Sequence, residues 1–133
     1  MKHLLLIITI LVAAMTAATS CRKRPLNGDL DAQWQLMTVE YPSGRTETMN
    51  RSYYCFYRHT VNLRGAANIH GNLIYNEDND SLIIDLPDGN DWLGHWGIEQ
   101  HTPCRIGFKV IELSGKRLVM LHGDSALFTF RKF

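Results

Sequence analysis

Residues 105–133, RIGFKVIELSGKRLVMLHGDSALFTFRKF, hold three apolar segments separated by two very short breaks. The segments 105–113, 117–122 and 126–132 are rich in β-branched, aliphatic and aromatic side chains, as strands are. Ser114-Gly115 and Gly123-Asp124 lie between them, and connections this short force antiparallel neighbours. In the last segment Ala126, Phe128 and Phe130 share one face while Leu127, Thr129 and Arg131 share the other. That two-residue period belongs to a strand with one buried side.

The same pattern extends back through the chain. Segments 33–41, 52–57, 60–63, 69–75 and 81–86 are apolar runs bounded by turn signals such as Pro42-Ser43-Gly44 and the polar stretch 76–80. About eight strands result, and no stretch carries a long amphipathic helical period; residues 91–97 admit one helical turn with Asp91 as its N-cap. The predicted fold class is therefore all-β, an antiparallel meander of about eight strands. Closing such a meander into a barrel removes its edges, and an eight-stranded barrel is either filled by side chains or holds one small ligand. A two-sheet sandwich is the structural alternative.

The beginning of the chain reads differently. Lys2 and His3 precede an apolar run over 4–18 broken only by Thr9 and Thr16. A spanning helix needs about 20 apolar residues, so the run reads as the hydrophobic region of a secretory signal. Ala18-Thr19-Ser20-Cys21 resembles a bacterial lipobox, with Ala18 where Leu is commoner. The resemblance implies cleavage of residues 1–20 and lipid on Cys21, whose buried acyl chains, at about 0.8 kcal/mol per CH2, tether the protein to a membrane without spanning it. Arg22-Lys23-Arg24 follows. Bacteroidetes lipoproteins exported to the surface carry acidic residues at that place, so the likeness favours a lipid-anchored, periplasm-facing address in the bacterial cell envelope. The expected organisation is a signal peptide over 1–20, a lipidated tether over 21–30 and one domain over 31–133.

Composition narrows the function classes. With 14 Lys+Arg against 13 Asp+Glu, the chain has no basic excess with which to neutralise phosphates, and no nucleic-acid partner is expected. Cys55 and Cys104 remain after Cys21 is used. In an oxidising compartment a bridge between them is worth roughly 4 kcal/mol by the chain-entropy argument. The sequence leaves open whether they form a disulfide or stay as two buried thiols.

The opening Leu30-Asp31-Ala32-Gln33-Trp34-Gln35-Leu36 and the closing 127–133, LFTFRKF, together with Trp96-Gly97-Ile98 and Phe108-Lys109-Val110-Ile111-Glu112-Leu113, resemble the lipocalin-like small lipoproteins of Bacteroidetes. Ala32 stands where that pattern has Gly. The resemblance implies a closed barrel in which Trp34 plugs one end under Arg131, a structural latch worth about 0.5 to 2 kcal/mol if the guanidinium covers the indole. It also implies a small apolar ligand in the open end. Tyr54, Phe56, Tyr75, Trp92, Trp96 and Phe108 are the candidate lining residues. The long connection 88–104, with Trp92, His95, Trp96 and His101, is the most distinctive stretch.

Chemistry-bearing motifs are weak. The histidines at 59, 70, 95, 101 and 122 have no zinc-ligand spacing, and Glu77-Asp78-Asn79-Asp80 reads as a solvated turn because Gly89 stands where a calcium loop needs an acidic ligand. His122-Gly123-Asp124-Ser125 gathers triad residue types too close together to align. No catalytic residue, metal or cofactor is expected. The functional expectation is a non-catalytic, lipid-anchored barrel that binds a small apolar molecule or lipid fragment. The alternatives are a protein-interaction or inhibitor module displaying residues 88–104 to a protein partner, and an envelope structural protein without ligand.

Overall fold

A computed structural model of the chain describes residues 2–5, 7, 25–86, 93–98, 105–123 and 126–133. Its strands are β1 (Gln33–Glu40), β2 (Thr46–Thr48), β3 (Tyr53–Tyr57), β4 (Thr60–Arg64), β5 (Asn68–Asn76), β6 (Ser81–Asp85), β7 (Arg105–Leu113), β8 (Arg117–His122) and β9 (Ala126–Lys132). They form one antiparallel sheet in the order β2-β1-β3-β4-β5-β6-β7-β8-β9, and β1 also pairs with β9. Eight strands thus close into a barrel, and β2 is an extra strand paired antiparallel with the last residues of β1, beyond the stretch that β3 pairs. Each of the eight apolar segments in the sequence supplies one barrel strand. The extra strand has no signature in the sequence, because Thr46, Glu47 and Thr48 are all exposed and carry no apolar alternation.

The seam is built from the two ends of the domain. Trp34 pairs with Lys132, Gln35 with Arg131 and Leu36 with Phe130, and Phe133 donates its backbone N–H to Gln33 at 3.0 Å. Two irregularities shift the inward phase. The β1–β9 register slips at Met37, so that Trp34, Leu36 and Val39 all face the core despite their uneven spacing. The β7–β8 register slips at Ile111, which is extruded to 53% exposure while Val110 and Leu113 pack inward. An extra residue in one strand of a pair does this by breaking the alternation once.

Antiparallel order gives the barrel two distinct ends. At the base lie the chain leading into β1, the β3–β4 turn and the β5–β6 turn. Gly28–Leu30 forms a 3-10 turn there, and its buried Leu30 accepts the indole N–H of Trp34 at 3.0 Å. Asp31 accepts from the Asn27 side chain at 2.7 Å and from Arg58 N at 3.0 Å, and Asn27 donates to Arg58 O at 2.7 Å. At the other end, the mouth, are the β1–β2 hairpin, the β4–β5 turn and residues 93–98. The core between them includes Trp34, Tyr54, Phe56, Trp96, Phe128 and Phe130, all essentially inaccessible to solvent.

Candidate functional site

The mouth is closed by residues that belong to no strand. Leu93–Trp96 is a four-residue 3-10 turn between β6 and β7, held internally by Gly97 N to Gly94 O at 3.1 Å and Ile98 N to Leu93 O at 3.2 Å. Leu93, Trp96 and Ile98 are buried in the core, whereas Gly94 and His95 face solvent. Gly97 holds φ +75°, and an added Cβ would lie 2.8 Å from Val39 Cγ2 and 3.1 Å from Phe128 Cε2. Only glycine satisfies both the backbone angle and the approach to β1 and β9.

The rim holds this plug through polar atoms. Arg64, the last residue of β4, accepts the Trp96 indole N–H on its backbone carbonyl at 2.9 Å. Tyr54 donates its hydroxyl to Trp96 O, and Ser52 donates its hydroxyl to His95 O. Gly65 brings these groups together. It sits at φ +135°, and an added Cβ would lie 1.9 Å from Arg51 O, so the chain entering β3 passes directly against the β4–β5 turn. The result is a slot in which one carbonyl receives an N–H and two hydroxyls reach carbonyl oxygens.

Burial of the Trp96 side chain is the largest favourable term in holding the plug. An aromatic of this size hides roughly 200 Å² of surface, on the order of 5 kcal/mol at about 25 cal/mol per Å² and an upper bound on the gain. Each of the three hydrogen bonds adds about 1 kcal/mol or leaves a buried group unpaired when broken. Tyr54 is fully buried, and that burial holds its hydroxyl well above its ordinary pKa of 10.0. It therefore stays a neutral donor throughout the physiological range.

The expected lining residues divide between the two ends. Tyr54, Trp96 and Phe108 are buried toward the mouth, with Phe108 packed edge-on to Phe128 at 5.2 Å between ring centroids. Phe56 is buried beside Tyr54, 6.0 Å between centroids, but points toward the base end of β3. Tyr75 lies near the base, half-buried against the core, its pKa raised first by burial and then by Glu77 and Asp80. Trp92, Cys21 and Cys104 lie outside the described residues. Cys55 is a free thiol on the outer side of β3, its pKa raised by burial and partly offset by Arg64.

Trp34 and Arg131 meet the seam from opposite faces. Trp34 is buried, whereas Arg131 is exposed and bonds Gln35 Oε1 through Nε at 2.9 Å. The register explains this: Arg131 stands opposite Gln35, one residue from Trp34, and adjacent strand residues point to opposite sides. The β1–β9 ladder, with Trp34 bonded to Leu30, closes the barrel.

Several mouth residues were not singled out from the sequence. Ser52, the Arg64 carbonyl, Val39, Leu93, Ile98 and Phe128 all take part. A separate groove of about 510 Å³ opens on the outer wall beside Thr60, His70, Asn72 and Asp85. Among the described residues no group of three His, Cys, Asp or Glu side chains gathers in a metal-holding arrangement.

Comparison with known proteins places this architecture. No curated protein matches the chain. Among solved structures it is similar to a lipocalin-like protein from Bacteroides uniformis, with a TM-score of 0.67 and 23% identity over 80% of this chain and 100% of that one. It is also similar to an uncharacterized protein from Bacteroides eggerthii, with a TM-score of 0.63 and 20% identity over 77% of this chain and 98% of that one. Both likenesses concern the fold. The family model for the lipocalin-like domain matches residues 14–133, and the chain belongs to that family.

Proposed function

We propose that this protein is a lipid-anchored envelope protein, facing the periplasm, whose barrel binds a small apolar molecule at its mouth without performing chemistry on it. The observation that carries the reading is the plug at 93–98. The strand side chains leave room inside the mouth for the buried Trp96, Leu93 and Ile98, and the segment filling that room is tied to the rim by side-chain and backbone hydrogen bonds rather than by a ladder. Such a filler exchanges for a ligand of similar size and polarity far more readily than a strand residue does. Trp96 pointing inward favours a ligand pocket over a protein-docking patch, since interface hot spots are presented on the surface.

Anchoring through Cys21 has its own support. Leu4, Leu5 and Ile7 are helical and exposed, apart from the barrel core, as residues of a signal segment are. Among the described residues no helix is long and apolar enough to cross a membrane. The lipid on Cys21 and the basic residues after it then hold the protein against the bilayer.

Native mass spectrometry and solvent extraction of protein purified from its own envelope test the binding reading. A reproducible apolar passenger supports it, and repeated recovery of an unoccupied barrel overturns it. Metabolic labelling with an alkyne fatty acid tests the anchor: Cys21→Ser is expected to abolish labelling and release the protein from the membrane fraction.

A further inference from the structure

The plug itself describes the molecule that would replace it. Three features of the slot are specific. It is lined by apolar and aromatic side chains, with Val39 and Phe128 against the 93–98 segment. A flat bicyclic ring occupies it completely, Trp96 being 0% exposed. Its polar groups are of both kinds and fixed in place, an acceptor from Arg64 O for the ring N–H and donors from Tyr54 and Ser52 for carbonyl oxygens. A purely hydrocarbon ligand displacing Trp96 together with its turn would leave the Arg64 carbonyl and the Tyr54 and Ser52 hydroxyls without their partners, and buried polar groups left unpaired are costly.

We infer that the mouth is a binding site for a planar, indole-sized heteroaromatic compound carrying a ring N–H and a carbonyl acceptor, and that such a compound binds by exchanging with Trp96. This rests on the apolar-ligand reading above and narrows it to one chemical class. The ligand takes over the indole's contact with Arg64 O and its carbonyl takes the Tyr54 hydroxyl, so that both of these rim groups keep a partner. Selectivity follows from the hydrogen bonds, because ring size alone discriminates poorly in an apolar site.

Two probes separate the class from mere hydrophobicity: 3-acetylindole, and 2-acetylnaphthalene, which keeps the fused rings and the ketone but has no N–H. The protein is the chain from residue 21 onward, 15N-labelled, with its Trp96 indole signal identified through Trp96→Phe. Titration with 3-acetylindole is expected to move that signal to a solvent-exposed position and to speed its exchange with water, while the Trp34 indole signal stays put. Binding of 2-acetylnaphthalene is expected to be roughly tenfold weaker, the equivalent of one lost hydrogen bond. In Trp96→Ala, where the competing indole is gone and the Arg64 carbonyl is open, 3-acetylindole is expected to bind more tightly than to the unaltered chain and to raise the melting temperature.

Equal affinity for both probes overturns the class and leaves the apolar-ligand reading standing. Binding to Trp96→Ala but not to the unaltered chain overturns the exchange, and so does binding that leaves the Trp96 signal unmoved. Failure of both probes to bind Trp96→Ala takes the apolar-ligand reading down as well. Should Trp96→Ala not fold, Trp96→Phe serves in its place, because it keeps a ring in the slot and frees the Arg64 carbonyl. There 3-acetylindole is still expected to outbind 2-acetylnaphthalene, and loss of that preference overturns the inference.

Discussion

Each end of the barrel closes around a tryptophan with no solvent exposure, and the two are held by different means. At the base, Trp34 belongs to a strand paired on both sides, and its N–H reaches Leu30 only four residues away. At the mouth, Trp96 belongs to a short 3-10 turn, and its N–H reaches Arg64, 32 residues away. Equal burial therefore conceals unequal embedding. Moving the base tryptophan opens the seam, whereas moving the mouth tryptophan displaces a turn that belongs to no strand. Two residues can be equally buried and differ in what else must move with them.

The sharpest way to break that contrast is to remove each indole in turn. Trp34→Ala is expected to cost about 3–5 kcal/mol, as large aromatic truncations in cores do. Against a total stability of about 5–15 kcal/mol, that leaves the barrel marginal or unfolded. Trp96→Ala is expected to fall at or below the lower end of that range, since the turn can withdraw and water can enter the mouth. Urea denaturation followed by circular dichroism reads both. Equal losses would show that the plug is as integral as the base, and the distinction between the two ends would fail.

Much of this architecture was written in the sequence, and the missing parts have identifiable causes. Strand positions followed from the two-residue period and from turns as short as Ser114-Gly115, because both are local properties. The phase slips at Met37 and Ile111 were not legible, since a bulge depends on the partner strand as well as its own residues. They also break the strict two-residue alternation within β1 and β7. β2 was invisible because polar, fully exposed residues carry no burial pattern. Trp96 could be picked out as an aromatic in a long connection, but its inward direction is a tertiary fact. The Arg64 acceptor had no signal at all, because a backbone carbonyl is the same for every residue type. Assigning Arg131 to Trp34 failed on register by one residue, which in a strand reverses the face.

Two glycines sharpen the comparison at intermediate size. Gly28 at the base holds φ +58° with open space where a Cβ would point, whereas Gly97 at the mouth holds φ +75° against Val39 and Phe128. Gly28→Ala pays only the left-handed backbone penalty, about 1–2 kcal/mol. Gly97→Ala adds crowding to the same penalty, so its loss should exceed that of Gly28→Ala. It should also raise solvent exchange of the Trp96 indole N–H while leaving that of Trp34 unchanged. Hydrogen exchange read by NMR checks this, and equal acceleration at both indoles would mean that the two ends open together.

Tyr54→Phe isolates the polar part of the plug's attachment. At neutral pH it removes the donor to Trp96 O and is expected to cost about 1–2 kcal/mol. The alkaline limb carries more information. Burial raises the folded pKa of Tyr54 above its ordinary value of 10.0, so above that pH the unfolded chain releases a proton that the folded chain still holds. Its share of stability is therefore constant below about pH 10 and declines as pH rises further. The variant should show a shallower alkaline decline, with Tyr41 and Tyr75, also raised, accounting for part of what remains. An unchanged slope would mean that the Tyr54 hydroxyl is not enclosed by the plug.

The smallest effect is expected on the outside of the seam. The Arg131–Gln35 bond lies on the face opposite Trp34, with Arg131 exposed to water that competes for its guanidinium. Arg131→Ala should therefore cost less than about 1 kcal/mol. A double-mutant cycle with Gln35→Ala should assign most of that small loss to the pair. A cycle with Trp34→Phe should show no coupling, because register places the two side chains on different sides of the same ladder. Strong coupling between Arg131 and Trp34 would instead show the arginine acting as a latch over the indole, and closure at the base would then depend on a side chain from the last strand as well as on the ladder itself.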